Sequence, residues 1–214
     1  MRIALIHALR HSIAPIEAAF ARLWPEAELQ NLLDDRLSAD LARDGRLTPA
    51  MTERFLTLAR YATGVGADGL LFTCSAFGPC IEACADALAP LPVLKPNEAM
   101  IQDAAARGAR IGLLASFAPT LVSMPPEFPS GVTVAPRLID GAMAALDRGD
   151  GAEHDRLAAL AARDLVDCDA IALAQFSLAR AAEAVAAATG KPVLTTPDCA
   201  VLELRRRLGV AAGV

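Results

Sequence analysis

The stretch that decides the fold runs from Gly69-Leu-Leu-Phe-Thr73 through Cys74-Ser-Ala-Phe-Gly78 to Pro79 and an alanine-rich segment. A continuous apolar run of this length predicts a strand that is buried on both faces of a sheet. Proline is favoured at the first position of a helix, so Pro79 predicts where a helix begins. Strand, turn and helix in this order are the repeating unit of a parallel α/β fold.

The same alternation continues along the chain. Further apolar runs lie at 2–7, 92–94, 110–115, 131–134, 170–174 and 192–195. Helical spacing is clearest at 13–23, 49–64, 79–89, 97–107, 152–166, 178–189 and 198–208. A strand followed by a polar turn occurs at 2–12 and again at 110–120, and a strand ending in Ser, Cys or Gln occurs at 69–78 and again at 170–178.

We therefore predict an α/β protein with two pseudo-equivalent flavodoxin-like lobes. Each lobe is a parallel sheet flanked by helices, and the site is expected in the cleft between them. The first lobe is predicted to comprise residues 1–94 plus 190–214, and the second residues 95–189. Ligands of such folds bind beyond the carboxyl ends of the strands, so the residues just after each strand are the candidates for function.

Composition excludes several classes of protein. Hydrophobic residues make up 54% of the 214 residues and the net charge is −5, which excludes a disordered chain and argues against a nucleic-acid binder. The longest uncharged stretch, Ile111–Pro126, is broken by prolines and too short to span a membrane. No signal peptide is visible, so we expect a cytoplasmic protein that binds neither nucleic acid nor membrane.

Five cysteines, at 74, 80, 84, 168 and 199, are an odd number for a disulfide framework. Three of them cluster, but no CxxC is present and no histidine lies between His11 and His154, so we expect no metal. Cys74 follows a buried strand and precedes a helix, whose positive end favours a thiolate. The backbone N–H groups of Ser75, Ala76 and Phe77 could bind an anion there. The alternative is a small buried hydrophobe.

The segment Ala67-Asp-Gly-Leu-Leu-Phe-Thr-Cys74-Ser-Ala-Phe-Gly78 resembles the first cysteine motif of the aspartate/glutamate racemase superfamily. That superfamily includes hydantoin and glutamate racemases, maleate isomerases and arylmalonate decarboxylase. Ile3-Ala-Leu-Ile-His7 resembles its opening strand, and Arg110-Ile-Gly-Leu-Leu-Ala-Ser116 resembles the strand that begins its second lobe. Asp169-Ala-Ile-Ala-Leu-Ala-Gln175 resembles the strand that carries its second cysteine.

The resemblance implies cofactor-independent proton transfer at a carbon next to a carboxylate, with Cys74 as a catalytic residue and no cofactor. The second cysteine position holds Gln175, which can form hydrogen bonds but cannot act as a base at neutral pH; we assign it with Cys74 and His7 to the catalytic residues. His7 is the best group for the second face of the substrate, against the alternative of a satisfied, partly buried histidine; His11 could play the same part or cap the next helix. Cys168 precedes its strand and Cys199 is expected to be structural.

The remaining candidates are assigned to binding. Ser75, Ala76, Ser116, Phe176 and Ser177 are expected to bind substrate. The aromatic rings of Phe77, Phe117 and Phe176 could line an apolar pocket or belong to the core. Asn97 is interpreted as a helix N-cap, and Lys95 could reach a carboxylate. His154 lies in a charged helix and is expected to be exposed.

Three functions follow. The leading hypothesis is a racemase- or isomerase-type enzyme. The second is a decarboxylase or other lyase of malonate-like acids that uses one cysteine as proton donor, which Gln175 favours. The third is a non-catalytic carboxylate-binding protein. The expected partner is a small carboxylate-containing substrate, and the sequence leaves open whether the chain forms a homo-oligomer.

Overall fold

The computed structural model describes residues 1–210 and forms two compact units. The strands are β1 (Arg2–His7), β2 (Glu28–Leu33), β3 (Gly69–Phe72), β4 (Val93–Leu94), β5 (Arg110–Ala115), β6 (Thr133–Leu138), β7 (Ala170–Leu173) and β8 (Val193–Thr195). The α-helices are α1 (Ile13–Leu23), α2 (Leu37–Asp44), α3 (Pro49–Gly64), α4 (Gly78–Leu88), α5 (Glu98–Arg107), α6 (Ala118–Ser123), α7 (Ala142–Asp147), α8 (Gly151–Ala162), α9 (Ala182–Thr189) and α10 (Thr196–Arg207).

The first unit is built on a parallel sheet with strand order β2-β1-β3-β4. Its central strands β1 and β3 are buried almost throughout, as their apolar runs predict. The core of this unit joins β1 and β3 to α3 and α4, with Phe55 stacked on Phe72 at a centroid distance of 5.3 Å. Thr48 caps α3 by accepting a hydrogen bond from the Met51 backbone, and Pro49 follows it, which confirms the predicted start of this helix.

The second unit repeats the topology. Its parallel sheet has the order β6-β5-β7-β8, and β5 has the same burial pattern as β1, with one exposed residue followed by five buried ones. A shared polar contact marks the start of each central strand. The Asp68 carboxylate accepts from the Arg2 backbone N–H at 2.8 Å, and the Asp169 carboxylate accepts from the Arg110 N–H at 2.9 Å. The predicted α/β architecture with two parallel sheets is therefore confirmed.

The boundaries of the units differ from the predicted ones. Within the described residues, the first unit comprises Met1–Glu98 and residues 200–210, and the second comprises Ala99–Cys199. Residues 95–98, predicted in the second lobe, thus belong to the first unit, and 190–199, predicted in the first lobe, belong to the second. The reason is strand pairing, because Val193 of β8 lies beside Ile171 of β7. Residues 211–214 of the predicted first lobe lie outside the described residues.

Four elements have no counterpart among the predicted ones, namely β2 and the short helices α2, α6 and α7. β2 is a half-buried strand at the edge of its sheet, so its mixed pattern lacks the apolar run that reveals the central strands. The short helix α2 follows it. The predicted helix 178–189 is divided into a 3₁₀ segment, Phe176–Ala181, and α9. No helix in the described part of the chain is long and apolar enough to cross a membrane.

Candidate active site

Cys74 lies where β3 gives way to helical structure, as the sequence predicts. Its backbone is extended, with φ −132° and ψ 116°, and it precedes a 3₁₀ turn, Ser75–Phe77, that leads into α4. Pro79 lies in the first turn of α4. Cys74 is half-buried, whereas the other four cysteines are buried. Because the strand ends at Phe72 and the helix begins at Gly78, the thiol lies at the carboxyl edge of the first sheet.

The protonation state of Cys74 differs from the predicted thiolate. Burial raises the pKa of the Cys74 thiol, and a hydrogen bond from the Ala76 backbone lowers it only in part. Desolvation, which disfavours the charged form, therefore outweighs this hydrogen bond. At neutral pH the resting residue is a thiol, which is a proton donor. Burial also raises the pKa of Cys84 to about 12, so this neighbour is no better as a nucleophile.

His7 is fully buried at the end of β1, and both of its ring nitrogens form hydrogen bonds. The Asn31 amide nitrogen donates to the Glu17 carboxylate at 2.7 Å, which leaves Asn31 Oδ1 to accept from His7 Nε2 at 2.9 Å. In the neutral ring Nδ1 is then an acceptor, and the Thr73 hydroxyl donates to it at 2.8 Å. Burial lowers the pKa of His7, against the raising effects of the Asn31 bond and the Glu17 charge.

The structure thus brings His7 next to the residue that precedes Cys74. Ser12 joins the same cluster, because its hydroxyl lies 2.9 Å from Thr73 Oγ1 and donates to the Leu9 carbonyl at 2.7 Å. The role of His7 in direct proton exchange stays a prediction. Its engaged ring nitrogens favour a role in holding the end of β3 in place. His11, the other candidate nearby, is exposed.

Gln175 and Ser116, which the sequence places at two different strand ends, are in contact. The Gln175 Oε1 atom accepts from the Ser116 backbone N–H at 2.6 Å and from the Ser116 hydroxyl at 2.9 Å. Both bonds use the acceptor end of the amide. The donor end, Nε2, is therefore the part of Gln175 that remains for other partners. The pair fixes the ends of β5 and β7 relative to each other at the carboxyl edge of the second sheet.

Strand register shows that Cys74 and Gln175 occupy equivalent positions. Ile3 pairs with Gly69 in the first sheet, and Ile111 pairs with Ala170 in the second. Further along, the Thr73 backbone N–H donates to the Ile6 carbonyl at 3.0 Å, just as the Ala174 N–H donates to the Leu114 carbonyl at 2.9 Å. The next residue in each strand is Cys74 in one unit and Gln175 in the other. The glutamine therefore occupies in the second unit the strand position that the thiol occupies in the first.

The other predicted binding residues divide into two groups. Ser75 and Ala76 are exposed on the turn after Cys74, and Ser116 is half-buried. Phe176 and Ser177 are buried in the 3₁₀ segment after Gln175. Among the three aromatic candidates, Phe77 belongs to the core, with its ring centroid 4.9 Å from that of Phe55. Phe117 is 55% exposed, which leaves it as the ring available to a ligand.

Several polar residues near these strand ends were not assigned from the sequence. Thr73, Ser12 and Asn31 complete the His7 cluster. The sequence places Thr73 and Ser12 among the polar residues that follow their strands, whereas no sequence signal indicates Asn31. His154, predicted to be exposed, is fully buried. Its Nδ1 lies 2.8 Å from the Asp155 carboxylate, which also binds Arg180 at 2.9 Å. The helix carrying it is charged on one face only, and His154 lies on the other.

The arrangement of ligand-type side chains bears on metal binding. Among residues 1–210, no group of three or more His, Cys, Asp or Glu side chains is arranged to hold a metal ion. The polar groups at the two carboxyl edges are instead a thiol, hydroxyls, amides and one imidazole. Within each unit, these side chains include donors of protons or hydrogen bonds.

Comparison with solved structures identifies the fold. Allantoin racemase from Klebsiella pneumoniae is 22% identical with a TM-score of 0.73, over 100% of this chain and 90% of that one. Aspartate racemase of Picrophilus torridus is 11% identical with a TM-score of 0.76, over 99% and 96%. A glycine-to-cysteine variant of arylmalonate decarboxylase, in a sulfate-associated form, is 22% identical with a TM-score of 0.69, over 99% and 95%.

These likenesses establish architecture over essentially the whole chain. The chain shares the α/β fold of these racemases and of arylmalonate decarboxylase. No protein-family model matches the sequence, and no curated protein matches it.

Proposed function

We propose that this protein is a cofactor-independent enzyme of the racemase or isomerase type that uses Cys74 to transfer a proton at a carbon next to a carboxylate. The observation that carries the proposal is the equivalent placement of Cys74 and Gln175 at the carboxyl ends of β3 and β7. One of the two positions holds a proton-transferring thiol. The other holds an amide that can only bind. The solved structures with this fold include racemases and a decarboxylase.

Each residue has a distinct role in this proposal. Cys74 exchanges a proton with the substrate carbon. The backbone N–H group of Ser75 stabilises negative charge on the substrate carboxylate as the carbanion forms, while the Ala76 backbone N–H donates to the Cys74 sulfur. Gln175 donates a hydrogen bond to the substrate through Nε2, while the backbone N–H and the hydroxyl of Ser116 both donate to its Oε1. His7 keeps Thr73, and hence the neighbouring thiol, in position.

Racemisation requires a base on one face of the carbon and an acid on the other. If Cys74 ionises, it can remove the α-proton, and a second group must return one to the opposite face. Gln175 cannot do so, which leaves His7 or water as the second proton carrier. The raised pKa of Cys74 means that little thiolate is present at neutral pH, so substrate binding would have to favour the charged form.

Decarboxylation is the second candidate, and the protonated state of Cys74 favours it. In that reaction the bond between the α-carbon and one carboxylate breaks, CO₂ leaves, and its electron pair stays on the α-carbon. The Cys74 thiol then gives its proton to this carbanion, and the resulting thiolate regains a proton from water. A single thiol is sufficient, and its high pKa keeps it in the form that the reaction consumes.

The test is incubation in deuterated water with malonate, phenylmalonate, succinate, aspartate, glutamate and hydantoin, followed by NMR and chiral chromatography. Exchange of the α-proton with inversion supports the racemase, and deuterated monoacid with CO₂ supports the decarboxylase. Cys74→Ser should abolish either activity. Cys80→Ser is the matched control, because Cys80 is buried in α4 with Thr52 Oγ1 3.4 Å from its sulfur, and a hydroxyl can replace it there. Binding without any exchange would instead identify a non-catalytic carboxylate-binding protein.

A further inference from the structure

Asn97 carries a buried hydrogen-bond donor that no described residue satisfies. The side chain is 3% exposed, and its amide nitrogen, Nδ2, has no partner within residues 1–210. Leaving a buried amide N–H without an acceptor costs free energy, so native proteins rarely keep one. The N-cap interpretation of Asn97 does not account for this atom, because an N-cap asparagine uses its side-chain oxygen as acceptor.

The position of Asn97 in the first unit matches that of Cys74. Leu71 of β3 pairs with Leu94 of β4 in parallel register. Cys74 lies three residues after Leu71, and Asn97 lies three residues after Leu94. Parallel strands end at the same edge of their sheet, so both residues lie at the carboxyl edge where ligands of such sheets bind.

The charged side chains beside Asn97 already have partners. The Lys95 ammonium donates to the Glu82 carboxylate at 2.9 Å, and the Arg207 guanidinium donates to the Glu98 carboxylate at 3.0 Å. Both positive charges are therefore paired with carboxylates. An uncharged N–H donor in this setting is suited to an acceptor oxygen of a carboxylate or carbonyl group.

We propose that Asn97 is a substrate-binding residue whose amide NH₂ donates a hydrogen bond to a carboxylate or carbonyl oxygen of the substrate. This inference rests on the proposed function and adds to it a residue that recognises the anion. The donor reaches the ligand by rotation about the Cβ–Cγ bond, which is soft for asparagine. Because Nδ2 has no bond to break, the rotation costs no hydrogen bond from that atom.

The experiment separates binding from stability. Asn97→Leu removes the donor at similar volume, and Asn97→Asp keeps the shape but replaces the donor with a negative charge. Gln102→Leu, an amide-to-apolar change at an exposed position of α5, is the matched control. Thermal unfolding is measured without ligand, and dissociation constants for malonate, phenylmalonate, succinate and aspartate are measured by isothermal titration calorimetry.

We expect Asn97→Leu to unfold at the wild-type temperature or above, since an unsatisfied donor is removed, and to bind the carboxylate probes about tenfold or more weakly. Asn97→Asp should bind them more weakly still, because like charges repel, and it supplies the test if Asn97→Leu does not fold. Gln102→Leu should bind as wild type. Unchanged affinity in folded Asn97 variants, where wild type binds a probe, overturns this inference and leaves the proposed function standing. Failure of the wild type to bind any of the four carboxylates overturns both.

Discussion

The buried His7 side chain should make the free energy of unfolding depend on pH. The ring is buried and neutral, and burial lowers its pKa below the ordinary value of about 6.5. In the unfolded chain the same imidazole gains a proton as the pH falls through about 6.5, while in the folded state it resists protonation. The unfolded state therefore binds more protons than the folded state, and the free energy of unfolding must fall as the pH is lowered.

The size of this effect follows from one proton. Well below the unfolded pKa the slope approaches about 1.4 kcal/mol per pH unit. Between about pH 6.5 and about pH 5 a single proton limits the loss to at most about 1.6 kcal/mol. For a chain of this size that corresponds to a decrease in melting temperature of about 3–7 °C.

The assay is urea unfolding of wild type and His7→Gln at several pH values across this range. The difference between the two curves isolates His7, because the carboxylates titrate alike in both. His11→Gln is the control for the loss of a histidine at an exposed position. Equal slopes for wild type and His7→Gln would refute the reasoning, since they would mean that the folded protein protonates His7 as readily as the unfolded chain does.

Three further predictions concern the thiol, the glutamine and a glycine. Iodoacetamide should modify native Cys74 more slowly at pH about 7 than it modifies a free cysteine of pKa about 8.5, and the rate should rise at higher pH. Mass spectrometry measures the labelling, which Cys74→Ser should remove. Rapid labelling at neutral pH would contradict the raised pKa of the Cys74 thiol. Gln175→Cys should lose about 1–3 kcal/mol of stability, because it removes the acceptor of two hydrogen bonds from Ser116. The variant should nevertheless gain α-proton exchange with inversion. A folded variant with unchanged stereochemistry would mean that residue 175 does not act on the reacting carbon. Gly108→Ala should lower the free energy of unfolding by about 1–3 kcal/mol, because the added Cβ would lie 2.3 Å from Asp169 Cβ. Gly64→Ala is the control in the same urea unfolding assay. Its added Cβ meets no neighbouring side chain within 4 Å, so its free energy of unfolding should stay within about 1 kcal/mol of wild type.

Much of the fold is readable from local sequence. The central strands are continuous apolar runs because both faces of a parallel sheet are covered by helices, and prolines and glycines mark where the helices begin and end. The positions of Cys74, Ser116 and Gln175 at strand ends follow from the same pattern. The apolar-run pattern does not reveal the edge strand β2, because a half-buried strand is not uniformly apolar.

What the sequence by itself determined is which residues end the strands, and hence which chemistry can gather at each carboxyl edge. Only the tertiary structure decided their states. The pKa of the Cys74 thiol depends on how far the fold removes it from water, and this effect outweighs the hydrogen bond from the Ala76 backbone. The partners of His7, the burial of His154 and the unpaired donor of Asn97 all depend on residues distant in the chain. The allocation of β8 to the second unit depends on its pairing with β7, because strand pairing is a long-range choice that local pattern does not encode.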